Sequence, residues 1–250
     1  MSSEIIWLTG ASTGIGRSLA VELAGRGHTV IASARGAKAL EALAKEYPTI
    51  KPLPFDVTDR EKLDEVRNAL QNISPYLDRV ILNAGTCEYL DTDAPDWRMM
   101  ERVMNVNFFG TVNSLEVAMP LLRQRPQGNA HIVGVVSQAA FVPFPRAQAY
   151  GSSKAAMQYF LDSLRVDLVK DNIDVTVINP GFVKTPLTDK NDFDMPFLVT
   201  ADVAAKRMAD AIARRPTQYD FPSRLKYLLK TLGFFSGFWN NIVAPKLGKV

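Results

Sequence analysis

A short apolar run, Ile5-Ile6-Trp7-Leu8, ends in Thr9-Gly10-Ala11-Ser12-Thr13-Gly14-Ile15-Gly16, and residues 17–24 then follow an amphipathic helical pattern. This order of strand, glycine turn and helix start constrains the fold more than any other stretch. Glycines let the backbone come close to a bound group. The free N–H groups of a helix's first turn, with the helix dipole, favour negative charge. The stretch therefore reads as a phosphate cradle at the carboxyl end of a strand. Its spacing is Gly-x-x-x-Gly-x-Gly, not Gly-x-Gly-x-x-Gly, and the same glycines would also serve a tight turn with no ligand.

The remainder repeats the strand-then-helix order. Residues 29–34 read as a second buried strand with Arg35 after it. At that tip an acid would bind a ribose 2′-hydroxyl, whereas an arginine accommodates a 2′-phosphate. No Asp or Glu lies between His28 and Lys38, so NADP is favoured over NAD, with a solvent-facing loop charge as the plain alternative for Arg35. Residues 37–46 are helical, and 50–55 form a third strand whose Pro52 and Pro54 suit a sheet edge. Asp56-Val57 follows, where the acid either accepts from an adenine amino group or caps the next helix, residues 59–72. A strand at 79–82 runs into Asn83-Ala84-Gly85, another small-residue turn at a strand's carboxyl end. Residues 97–119 are mostly helical, with Pro120 as the break, and polar Asn107 among apolar neighbours must find partners if buried. A strand at 130–136 ends at Ser137, a helix covers 150–170, and a strand at 174–179 is stopped by Pro180-Gly181. This alternation predicts an α/β fold with a doubly wound parallel sheet and helices on both faces. The body is expected to be one domain, residues 1–222, followed by an extension, 223–250.

Within the 150–170 helix, Tyr150 and Lys154 lie one turn apart on the same face, so a phenol and an ammonium can share a pocket. A fixed positive charge favours the phenolate and lowers a pKa that is ordinarily near ~10, which would make Tyr150 a general acid or base. A solvated helix pair is the alternative reading. A second copy, Tyr47-x-x-x-Lys51, contains Pro48, which argues against a helical turn there.

A single cysteine, Cys87, excludes an internal disulfide framework and multi-cysteine zinc patterns, and it reads as a plain loop thiol. His28 and His131 lack metal-ligand spacing, so no metal is expected. Met1-Ser2-Ser3-Glu4 carries no basic n-region, and no long apolar span follows, which suggests an untargeted, cytoplasmic protein. The formal charge is only +3, but from Arg214 onward there are seven basic residues (Arg214, Arg215, Arg224, Lys226, Lys230, Lys246, Lys249) against one acid, Asp220. A basic tail on a mildly acidic body points to an anionic surface partner and away from nucleic acid.

Taken in order, Thr9-Gly10-x-x-x-Gly14-Ile15-Gly16, Asn83-Ala84-Gly85, Asn107, Ser137, Tyr150-x-x-x-Lys154 and Pro180-Gly181 resemble the short-chain dehydrogenase/reductases, in their compact single-domain form. The resemblance covers roughly residues 4 to 222. It implies a Rossmann-type sheet of seven strands and hydride transfer between a nicotinamide and a carbonyl or alcohol carbon. It also implies a homo-oligomer, dimer or tetramer, built on the helices that carry Asn107 and Tyr150. By the same resemblance Tyr150 is the acid/base and Ser137 polarises the substrate oxygen. Lys154 binds ribose and lowers the Tyr150 pKa, while Asn107 holds a relay water. Gly10, Ser12, Thr13, Gly14, Ile15, Gly16, Arg35, Asp56, Val57, Asn83, Ala84 and Gly85 line the dinucleotide. Pro180, Gly181, Val183 and Thr185 meet the nicotinamide end. Two departures stand out: Thr13 where NADP-preferring relatives often place a basic residue, and Gln138-Ala139-Ala140 where Ser-Ala-Gly is more usual.

Residues 141–145 and the irregular segment 182–199, with Phe193, Met195, Pro196 and Phe197, are expected to flank the pocket, which suggests an apolar substrate and a mobile lid. In the tail, Leu225, Leu228, Leu229 and Leu232 recur at helical spacing beside Arg224, Lys226 and Lys230, ahead of Phe234, Phe235, Phe238, Trp239, Ile242 and Val243. Such a stripe lies on a membrane surface, on its own body or on a partner subunit. The leading expectation is an NADPH-dependent carbonyl reductase. Its rivals are a nucleotide-binding sensor and a membrane-peripheral scaffold that keep the fold.

Overall fold

The computed structural model describes residues 3–189, 191 and 193–247. Lys249 of the basic tail and Lys190 and Asp192 of the 182–199 segment lie outside the described residues. The strands are β1 (Ile5–Thr9), β2 (Thr29–Ser33), β3 (Ile50–Pro52), β4 (Arg79–Leu82), β5 (Ala130–Val135), β6 (Ile173–Pro180), β7 (Val183–Lys184), β8 (Val199–Thr200) and β9 (Gln218–Phe221). Seven of them form one parallel sheet in the order β3-β2-β1-β4-β5-β6-β9, while β7 and β8 pair separately. The helices are α1 (Gly14–Gly25), α2 (Ala37–Glu46), α3 (Leu63–Ile73), α4 (Arg98–Met104), α5 (Gly110–Arg123), α6 (Gln148–Leu168), α7 (Ala201–Arg214) and α8 (Ser223–Phe234).

The strands are apolar runs because both sheet faces are covered. Alternation within β1 shows this: Trp7 packs with Leu70 of α3, Leu121 of α5 and Leu161 of α6, while Ile6 and Leu8 pack with Leu19 of α1 and Met208 of α7. β3 lies at the sheet edge, where Pro52 costs no ladder hydrogen bond on its outer side. The strand order reverses between β1 and β4, and ligands of open α/β sheets bind in the crevice at such a switch point. Gly10 sits in that crevice at φ +69°, and a Cβ there would come within 2.8 Å of the Ala84 Cα. The turn after β1 and the turn after β4 can meet only because this position is glycine.

Two expectations change. Pro120 does not end its helix, since α5 continues to Arg123. A proline removes the bond to the carbonyl four residues back, here Glu116, and Arg67 Nη2 of α3 donates to that carbonyl at 3.4 Å instead. The second change concerns residues 141–145, which do not flank the cleft but seat the C-terminal segment. Val142 is buried with Leu225, Leu229 and Trp239. The Trp239 indole donates to the Pro143 carbonyl at 2.7 Å and meets Phe144 edge-on at 5.4 Å. Lys226 and Lys230, one turn apart on α8, both reach the buried Asp220 carboxylate, at 3.3 and 3.4 Å. The inward face of the tail thus packs on its own body.

Candidate active site

Ser137 lies two residues past the end of β5 and caps the short 3₁₀ turn Gln138–Ala140, its Oγ accepting from the Ala139 N–H at 3.1 Å. Its own N–H donates to Asn179 Oδ1 at 3.3 Å, which ties the end of β5 to β6. With one lone pair engaged, the Ser137 hydroxyl keeps its proton to donate, and it lines the same cavity as the Tyr150 phenol, close enough to favour the phenolate. Tyr150 lies in the first turn of α6, and Lys154, four residues on, puts Nζ 6.0 Å from the Tyr150 ring centroid. The same Nζ donates to the Val135 carbonyl at 2.9 Å. The other copy of the spacing does not form a pair: Tyr47 caps the end of α2, and Lys51, on β3, turns back to the Pro48 carbonyl at 3.0 Å.

Burial pushes the Tyr150 phenol up to about 12, outweighing the lowering by the Ser137 hydrogen bond, and pushes Lys154 down to about 8. The expected lowering of the Tyr150 pKa by Lys154 is therefore corrected. Removal from water penalises both charged forms, and the ammonium is held on a carbonyl, not on the phenolic oxygen. At neutral pH the phenol keeps its proton, which is the form that donates.

Asn107 is fully buried in a π-helical turn, Asn105–Phe109, between α4 and α5. Its side chain accepts from the Thr86 N–H at 2.7 Å and donates to the Thr86 carbonyl and to Ser153 Oγ, both at 2.9 Å. The polar group finds its partners by clamping the loop after β4 against α6. Gly85 lies between: a Cβ there would be 3.4 Å from Asn107 Oδ1 and 3.5 Å from Lys154 Nζ.

A cavity of about 780 Å³ opens along the carboxyl ends of the strands. Its lining brings together Gly10, Ser12, Thr13, Gly14, Ile15, Gly16, Arg35, Asp56, Val57, Asn83, Ala84, Gly85, Ser137, Tyr150, Lys154, Pro180, Gly181, Val183 and Thr185. Of the site residues read from the sequence, Asn107 alone stands behind the wall and not on it. The aromatic part of the 182–199 segment also stays off the lining. Phe193 packs edge-on against Tyr89 and Phe182, at 6.1 and 6.0 Å, and the Tyr89 hydroxyl donates to Asn191 at 2.7 Å. The segment contributes Val183, Thr185, Pro186, Leu187 and Thr188 instead.

A family model, short chain dehydrogenase, matches residues 4–195. The chain belongs to the short-chain dehydrogenase/reductase family. Among its relatives is an uncharacterised oxidoreductase of Myxococcus xanthus, 37% identical over 229 residues that make up 90% of each chain. An Arabidopsis thaliana protein named 11-beta-hydroxysteroid dehydrogenase 1A is 31% identical over 92% of this chain and 72% of its own length. Among solved structures, a short chain dehydrogenase from Burkholderia cenocepacia in complex with NADP superposes with a TM-score of 0.84 at 22% identity, covering 98% of this chain and 99% of that one. One from Burkholderia phymatum in complex with NAD gives 0.83 at 19% identity, covering 92% of each.

As a family member the chain is an oxidoreductase that uses a nicotinamide dinucleotide, and its own geometry fits one. Thr13 precedes α1 without a side-chain cap, and the first turn of α1 holds no acid. The N–H groups of Gly14, Ile15 and Gly16 are therefore open to a pyrophosphate. A Cβ at Gly16 would overlap the Gly10 carbonyl oxygen, so the turn closes only with glycine at both places. Asn83 Nδ2 binds the Thr9 and Gly10 carbonyls, each at 3.1 Å, which makes Asn83 a brace for the glycine turn as well as part of the lining. Arg35 has no ion pair among the described residues, although it lines the cavity. Asp56 accepts from the N–H and hydroxyl of Thr58 at 3.0 and 2.8 Å, while Asp59 caps the helical turn that follows.

Sequence reasoning missed several members. Thr9 accepts from the Asn83 and Ala84 N–H groups at 3.1 and 3.2 Å. Thr188 bonds the Val183 carbonyl at 2.7 Å and the Thr185 N–H at 2.9 Å, fixing the turn after β7. Glu88 and Arg102 pair at 2.6 Å on the cavity rim. Thr9 stood inside the first motif and was legible as a strand-end hydroxyl, whereas the others have no local pattern. The departure at Gln138 leaves the lining alone, because that side chain turns inward to the Asn179 and Pro222 carbonyls, both at 3.4 Å.

Proposed function

We propose that the chain is an NADP(H)-dependent carbonyl reductase, moving hydride between nicotinamide and the carbonyl or alcohol carbon of an apolar small molecule. The observation that supports this most is that Ser137, Tyr150 and Lys154 line one cavity together with the glycine turn and Arg35. The bound dinucleotide supplies the hydride. As a carbonyl carbon is reduced, negative charge builds on its oxygen, and donors aimed there stabilise the transition state. Ser137 and Tyr150 are those donors, and Tyr150 gives up its proton. Lys154 has donors to spare beyond its bond to Val135 and would hold a ribose hydroxyl. Asn107 would hold the relay water on the remaining lone pair of its main-chain carbonyl, since its side chain is committed to Thr86 and Ser153 and the same carbonyl accepts from the Thr111 hydroxyl at 2.9 Å.

Arg35 carries the proposed preference for NADP, because a guanidinium without an ion pair beside the adenosine end suits a 2′-phosphate. Asp56 and Val57 would flank the adenine. Val136, Pro180, Pro186 and Leu187 give the cavity apolar surface, and the resemblance to a hydroxysteroid dehydrogenase points to the same substrate class. A homo-oligomer is proposed through α5 and α6, where Tyr159 and Val166 of α6 are 80 and 75% exposed and Val169, just past its end, is 72% exposed. The test is consumption of NADPH and of NADH against a panel of steroid, fatty and quinone-like carbonyl compounds. The proposal expects turnover with NADPH preferred. Dinucleotide binding without turnover on any of them would favour a sensor or scaffold.

A further inference from the structure

The C-terminal segment has two faces, and the packing of the body uses one. Leu225, Leu229 and Trp239 point inward and are nearly fully buried. Outward, Leu228, Phe234, Phe235, Phe238, Ile242 and Leu247 form an apolar row, each about half exposed or more, with Phe234 at 84%. Phe238 and Ile242 lie four residues apart on the helical stretch that follows the non-helical Phe235, and their neighbours Trp239 and Val243 turn to the inward apolar cluster. A soluble surface seldom carries a run of large apolar side chains unless something covers it.

Charge identifies the cover. Residues 223–247 contain Arg224, Lys226, Lys230 and Lys246 and no acid, and the buried Asp220 that Lys226 and Lys230 share leaves the segment net positive. A second copy meeting this row about a two-fold axis would place like charges opposite each other with no acid of the segment to pair them. An anionic lipid surface satisfies both halves of the pattern, taking aromatic side chains at the headgroup boundary and cations at the phosphates. No helix among the described residues is long and apolar enough to cross a bilayer, which fits a segment that lies on one.

We propose that this row docks the protein on an anionic phospholipid bilayer. It would also bring the cleft to the lipid: Leu225 packs against Gly181, which lines the cavity, and Phe182 belongs to the tail's own apolar cluster.

Flotation of the full chain with phosphatidylcholine vesicles, with and without phosphatidylglycerol, tests this without any turnover, so its outcome is separate from that of the proposed reaction. Sedimentation velocity in the absence of lipid runs beside it. The wild type should float with the anionic vesicles and hardly at all with the neutral ones. Phe234→Ser with Phe235→Ser should weaken that partition at least tenfold with sedimentation unchanged, and Arg224→Glu or raised salt should weaken it in the same direction. Failure of the wild type to float with anionic vesicles would overturn the proposal. So would a Phe234→Ser, Phe235→Ser variant that floats as before but sediments as a smaller species, which would make the row a contact between copies.

Discussion

The two ends of the sheet both bury charged and hydrogen-bonding groups, but they spend them differently. At the amino ends, Arg79 of β4 donates to His131 Nδ1 at 3.0 Å and pairs with Glu4 at 2.9 Å. Because that nitrogen accepts, the imidazole proton must sit on Nε2, facing Thr176 Oγ1 at 2.8 Å. Asp78 takes the Ile5 N–H at 2.7 Å and Arg125 at 2.6 Å. Each of these groups has its partner within the fold, and together they close that end. At the carboxyl ends, Arg35 has no counter-ion among the described residues, the first turn of α1 is uncapped, and the Ser137 and Tyr150 hydroxyls border a cavity. Chemistry is assigned to the end whose groups remain available to a ligand, and the difference between the ends can be broken by mutation.

The largest expected effect is at Tyr150. Tyr150→Phe should slow carbonyl reduction about 10³-fold, while thermal unfolding and NADPH affinity, measured by scanning and by titration, stay near wild type. Next is Arg79→Met, which leaves Glu4 only the longer contact with Arg215 at 3.7 Å and leaves His131 Nδ1 without its donor, and should cost about 3 kcal/mol of stability in denaturant unfolding, with kcat of the folded protein unchanged. If Arg79→Met removed activity at full stability, the division between the two ends would fail.

Arg35→Asp comes third. Paired kinetics should show the NADPH-over-NADH ratio falling about a hundredfold, or some 2.7 kcal/mol, with stability untouched. The smallest effect is that of pH. Burial, reinforced by Arg79 and Arg215, holds His131 well below its ordinary pKa, so the folded protein keeps it neutral. Its contribution is fully present above about pH 6.5 and is lost as pH falls below that value, because only the unfolded chain then takes up the proton. Denaturant midpoints should drop with acid by at most about 1.4 kcal/mol per pH unit from this histidine.

The carboxyl end was largely legible in the sequence and the amino end was not. Glycine turns, Asn83-Ala84-Gly85 and Tyr150-x-x-x-Lys154 are local patterns, and their spacing carries their geometry. The Arg79–His131–Thr176 chain joins three strands through residues that look unremarkable alone. His131 read as an ordinary strand residue, and nothing near it announced an arginine 52 positions away in sequence. The errors have the same origin. Pro120 continues its helix because Arg67 arrives from another element, and residues 141–145 leave the cleft because Trp239 needs a seat. The direction of the Tyr150 pKa depended on how dry the pocket is, which spacing does not encode.

The most direct measurement follows a labelled hydride. Wild-type protein, NADPH deuterated at the transferring position of the nicotinamide and a panel of apolar ketones should give an alcohol bearing one deuterium on the new carbinol carbon, seen by mass spectrometry. Dinucleotide bound at the carboxyl end with no labelled alcohol from any ketone would contradict hydride transfer at Tyr150.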